Sequence, residues 1–109
     1  MEAKTIEKAL KALGVENPHP LQVELLKRFF SRAHRTKHGM AVRMFSRYKG
    51  KLLIAKEEPY GKRRLLLHTI TILENMKIIK VVRYKGRKYL YMPENVLHVF
   101  ESIGDKAAE

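Results

Sequence analysis

The chain predicts an α+β fold, mainly helical, in a single domain over residues 1–109, and three observations predict it. Several stretches repeat apolar residues at intervals of three and four, the spacing of a helix that buries one face. Two β-branched runs joined across Lys85-Gly86 have the pattern of a hairpin. A chain of 109 residues suffices for one core, in which about two-thirds of the unfolded surface is buried, and not for two.

Residues 5–13 carry Ile6, Ala9, Leu10 and Leu13 on one face, and Gly14 follows where a helix ends, so the region 1–16 reads as an N-terminal helix. Asn17-Pro-His-Pro breaks the pattern. A longer helix over 21–33 then places Leu21, Leu25, Leu26, Phe29 and Phe30 on one stripe, with Lys27, Arg28 and Arg32 facing away. Residues 40–48 fit a short helix through Met40, Ala41, Met44, Phe45 and Tyr48, and Val42 with Met44 also fits a strand; the helix is the expectation.

From residue 51 the expected order is a short helix over 51–58 burying Leu53, Ile54 and Ala55, a Pro59-Tyr60-Gly61 turn, and a helix over 62–76 burying Leu66, Ile70, Leu73 and Met76. The hairpin occupies 78–92. Pro93-Glu94 opens a last helix over 93–104 with Val96, Leu97, Phe100 and Ile103 on one face and Gly104 at its end.

A hydrophobic share of 45% and a charged share of 31% describe a folded protein rather than a disordered one. The sequence offers neither the 18 or so apolar residues of a membrane span nor the apolar core of a signal peptide, so the expected location is the cytoplasm, of a host if the chain is viral, with no membrane partner. Without cysteine there are no disulfides, thiolate metal sites or thiol nucleophiles. Three Asn and one Gln among many Lys, Arg and Glu match proteins from hot habitats.

The net charge of +12 is concentrated. Residues 25–92 hold 19 Lys or Arg against three acids, Glu57, Glu58 and Glu74, a balance of +16 that leaves −4 for the two ends together. A solvated surface mixes signs, so a block this one-sided suggests a surface that meets phosphates.

Ile54-Ala-Lys-Glu57, a turn, 62–74, then Met76-Lys-Ile-Ile79 and the basic hairpin resemble the winged helix-turn-helix superfamily of DNA-binding domains, in the manner of small archaeal or archaeal-virus regulators. The resemblance covers about 40 residues and is carried mostly by apolar spacing: Leu66, Ile70 and Leu73, then Ile78 and Ile79 at the exit. It implies a helix-turn-helix over 51–76, a wing over 78–92, a helix over 62–76 in the major groove and a role in transcription regulation. Two positions depart from the family: Lys77 stands where glycine is usual, and Pro59-Tyr60-Gly61 replaces the usual turn.

The physical reading agrees. A helix fits the major groove, and its N-terminal end presents free N–H groups and partial positive charge to phosphate. Lys62, Arg63 and Arg64 lie at that end, and with Leu66, Ile70 and Leu73 buried, Arg64, His68, Thr71, Leu67 and Asn75 project outward. Arg64 and His68 are the candidates for base edges, Lys62 and Arg63 for phosphate. The hairpin adds Lys80, Arg83, Lys85, Arg87 and Lys88 with no acid between Lys77 and Met92, and Lys49 and Lys51 fall beside the flanking backbone. Tyr84, Tyr89 and Tyr91 either stack or pack, with packing favoured for the last two.

Competing chemistry is poorly represented. His34 and His38 are four apart, but no acid or thiol lies near and Gly39 ends the stretch, so no metal site is expected. No nucleophile, base and orienter set and no phosphate loop appears, so neither catalysis, nor a cofactor, nor a small-molecule ligand is expected. Alternatives to a regulator are an RNA-binding or ribosome-associated protein, a sequence-independent architectural DNA binder and a protein-interaction module. A homodimer through the C-terminal or N-terminal helix competes with packing of those helices on their own domain.

Overall fold

In a computed structural model, which describes residues 1–44 and 58–108, the described residues form four helices and a four-stranded antiparallel sheet. Helix α1 (Ala3–Ala12) buries Ile6, Ala9 and Leu10, as its spacing dictates. It ends in a Schellman turn: Val15 N–H donates to Leu10 O at 2.9 Å and Gly14 N–H to Lys11 O at 3.1 Å, with Gly14 at φ +103°. Helix α2 (Pro20–Arg32) starts at the breaker itself. The Leu21 N–H donates to His19 Nδ1 at 3.0 Å and His19 N–H to Gln22 Oε1 at 2.9 Å, with Pro20 at the first helical position. Its Leu25, Leu26 and Phe29 are fully buried, and Phe30 packs against Phe100 with ring centres 5.1 Å apart.

Strands β1 (His34–Thr36) and β2 (Gly39–Arg43) follow as a hairpin. The helix expected over 40–48 is therefore corrected to a strand as far as Arg43, and residues 45–57 lie outside the described residues. Period two wins because Met40, Val42 and Met44 all turn to the core, while Ala41 and Arg43 take the other face. Entry into β2 is tight: Gly39 pairs with Pro93, and a β-carbon there would overlap the Met92 carbonyl oxygen.

The helix expected over 51–58 lies outside the described residues apart from Glu58. Helix α3 (Tyr60–Asn75) starts two residues before the expected position, so Tyr60-Gly61 is not a turn but its first two residues, with Pro59 as N-cap. Leu66, Ile70 and Leu73 are buried as expected; Met76, expected inside, is 37% exposed because it caps the helix instead of extending its stripe.

At the exit, Ile78 N–H donates to Leu73 O at 3.1 Å and Lys77 N–H to Glu74 O at 2.9 Å, a second Schellman turn with Lys77 at φ 62°. Lys77 thus holds the left-handed conformation that glycine adopts without strain. The expected outcome of Lys77→Gly is a gain of about 1 kcal/mol in unfolding free energy, read by urea denaturation with an unchanged slope.

Buried Ile78 and Ile79 lead into β3 (Lys80–Tyr84), which pairs with β4 (Arg87–Pro93) across the two-residue Lys85-Gly86 turn. Both turn residues have positive φ, 50° and 74°, the requirement of the turn whose twist matches a hairpin. The strand order is β1-β2-β4-β3. Helix α4 (Glu94–Ala108) runs on through Gly104, which was expected to end it; a β-carbon at Gly104 would sit 3.6 Å from Thr5 Cγ2, so this glycine lets α4 lie close to α1. Val96, Leu97 and Phe100 are spent on the protein's own core, which places the apolar stripe of α4 inside the domain.

Candidate nucleic-acid interface

With Leu66, Ile70 and Leu73 turned inward, α3 exposes Arg64, His68, Thr71 and Asn75, which recur every three or four residues and form one outward stripe. Leu67, expected beside them, is partly buried against the core. Leu65 and Ile72, 53% and 37% exposed, flank the stripe and add an apolar component that base spacing had not shown. Pro59 offers no side-chain acceptor to the first N–H groups of α3, and no acid stands in the first turn. Among the described residues that end therefore carries no side-chain cap.

The three cations at this end are placed differently. Arg64 is exposed. Arg63 is half-buried and engaged within the protein. Lys62 Nζ lies 3.0 Å from Glu24 Oε1 on α2, where Arg28 also meets Glu24 at 3.0 Å and Glu58 at 2.5 Å. Sequence reasoning missed this cluster because Glu24 and Lys62 are far apart in the chain; the only signal was an acid on the polar side of α2.

The hydrogen bond from Lys62 holds the Glu24 carboxyl below its usual value of 4.5, helped by the charges of Lys62 and Arg28 and opposed by burial. A carboxylate lowered in the folded state adds stability above the unfolded value and loses it as pH falls. Because both partners are more than a third exposed, the contribution is small. The expected outcome for Glu24→Gln is a melting temperature that falls less between about pH 6 and pH 3 than that of the parent chain.

The hairpin exposes all of Lys80, Arg83, Lys85, Arg87 and Lys88. Register sorts them. Arg83 pairs with Lys88 on the side of the sheet that carries Val81 and Leu90, whereas Arg87 pairs with Tyr84 on the opposite side. The Lys85 ammonium lies 5.4 Å from the Tyr84 ring centre, so it leans on that ring at the tip. Lys49 and Lys51 fall outside the described residues.

Tyr91 is tied down by its hydroxyl, which donates to His38 O at 2.5 Å. Tyr89 and Tyr91 are half-buried and Tyr84 is 60% exposed. All three line one open groove on the outer face of the sheet, with His34, Thr36, Ala41 and Val82. The contribution of β1 and β2 to that face was hidden by the helical reading of 40–48. His34 lies in a strand and His38 in a turn, so their four-residue spacing does not place them on one helix face. Among the described residues no group of three His, Asp or Glu is arranged to hold a metal ion, and no helix is long and apolar enough to cross a membrane.

No protein-family model, curated protein or solved structure matches the chain. Its function is read from the placement of its own residues.

Proposed function

We propose that this chain binds double-stranded DNA as a winged helix-turn-helix transcription regulator, reading sequence with α3 and holding the backbone with the β3–β4 hairpin. The observation that carries this reading is the pairing of two surfaces on consecutive elements. One is the exposed Arg64, His68 and Thr71 stripe on a helix whose N-cap, Pro59, makes no side-chain cap; the other is an acid-free hairpin separated from the end of that helix by four residues. Glu74, in the last turn of α3, accepts from Val81 N–H at 3.0 Å and fixes the hairpin to the helix.

Each part has a defined task. Arg64 and His68 donate to acceptors on base edges, and Thr71, whose hydroxyl donates to Leu67 O at 3.2 Å, serves as acceptor or as a methyl contact. The exposed Leu65 and Ile72 suit thymine methyl groups. Lys62 and Arg63 border phosphate, with Lys62 exchanging Glu24 for a phosphate oxygen. Arg83, Lys85, Arg87 and Lys88 neutralise backbone charge and release counterions, which makes affinity fall with salt.

Competition at fixed salt tests the reading. A labelled DNA duplex bound by the chain should be displaced by excess DNA duplex at far lower concentration than by RNA duplex or a polyanion. Displacement by RNA duplex at the lower concentration would assign the surface to RNA instead.

A further inference from the structure

The outer face of the sheet has no helix on it among the described residues. Its groove, of about 380 Å³, is lined by Tyr84, Tyr89 and Tyr91 with His34 and Val82, so three of the chain's five tyrosines share one surface. That volume falls in the range of ligand clefts, roughly 300–1,000 Å³. Cations border the aromatic groups on the same face. Arg43 pairs with Tyr89 across β2 and β4, Lys80 pairs with Tyr91, and Arg87 pairs with Tyr84. The four strands contain no Asp or Glu. Arg43 Nε is buried with no hydrogen-bond partner among the described residues.

Aromatic planes within a cationic, acid-free border are complementary to unpaired bases on a phosphate backbone, and stacking of this kind tolerates any base. A duplex offers its base faces only to one another, so this groove needs a strand that is not paired. We propose that the outer sheet face binds a single strand of DNA by stacking bases on Tyr84 and Tyr89, with Arg43, Lys80 and Arg87 meeting its phosphates. The assignment to DNA rests on the proposed function, in which the hairpin holds a DNA duplex: with Arg83 and Lys88 on one side of the hairpin and Arg87 with Tyr84 on the other, an unpaired strand flanking that duplex lies next to the groove. Tyr91, its hydroxyl committed to His38 O, forms the floor.

The chain contains no tryptophan, so its emission comes from tyrosine, and three of its five tyrosines line the groove. Oligothymidine is expected to quench part of that emission on titration, and less of it in Tyr84→Leu. Tyr84→Leu should weaken oligothymidine binding about tenfold or more, and Tyr84→Phe, which keeps the ring, should restore it. Tyr84 is largely exposed, and thermal melting of both variants checks that the fold is intact. Unchanged affinity in a folded Tyr84→Leu overturns the proposal. So does an oligouridine of equal length binding more tightly than the oligothymidine, which would assign the face to RNA. The two readings fail separately: Arg64→Ala with His68→Ala should spare oligothymidine, and Tyr84→Leu should spare a fully paired duplex.

Discussion

Gly39→Ala is expected to lower stability by about 2–4 kcal/mol, because the added β-carbon meets backbone and not a side chain that can turn away. The Met92 carbonyl can yield only if β2 and β4 separate, and these strands form the centre of the sheet. Val42, Leu90, Met40 and Met92 lie on the core side of the same pair, so the displacement would reach the packing as well. At about 4–8 °C per kcal/mol for a domain of this size, the melting temperature should drop by about 10 °C or more. Gly61→Ala is the informative companion. Gly61 stands in the first turn of α3 with open space around a β-carbon, so alanine there should stabilise by about 0.5–1 kcal/mol. A melting temperature unchanged in Gly39→Ala would mean that the approach of Gly39 to Met92 is not as close as described.

The second large effect concerns binding. Lys85→Ala with Arg87→Ala removes two cations from the hairpin tip and should weaken every duplex alike. Since each phosphate contact contributes about −0.9 to the slope of log affinity against log salt, the slope should fall by about 2. Arg64→Ala with His68→Ala should behave differently. Loss of a base contact costs about 1–3 kcal/mol on the preferred sequence and little on random DNA, so discrimination collapses while the salt slope stays nearly constant. Fluorescence anisotropy across a salt series, on preferred and random duplexes, separates the two patterns. Equal losses from both pairs on both duplexes would defeat the division of roles.

The parts of the fold legible in the sequence were those with local causes. Ile6, Leu10, Leu25, Phe29, Leu66 and Leu73 recur at helical spacing and are buried. Lys85-Gly86 marks the hairpin because a two-residue turn needs two positive φ values. The misread elements depend on partners distant in sequence. Residues 40–44 satisfy both periods, and only pairing with β4 selects the strand. Gly104 looks like a stop until α1 is seen beside it.

The candidate site divides in the same way. Arg64, His68 and Thr71 could be placed outward from spacing alone, and the structure leaves them exposed. The tie between Lys62 and Glu24 could not be anticipated, since it depends on how α2 crosses α3. Nor could the meeting of Tyr84, Tyr89 and Tyr91 with His34 and Arg43, which requires the order β1-β2-β4-β3.

Selection of bound molecules from a random DNA duplex pool tests the central claim most directly. The account predicts that the intact chain enriches one short sequence and that Arg64→Ala with His68→Ala abolishes the enrichment while duplex binding persists. A pool that stays random after repeated selection by the intact chain would contradict it.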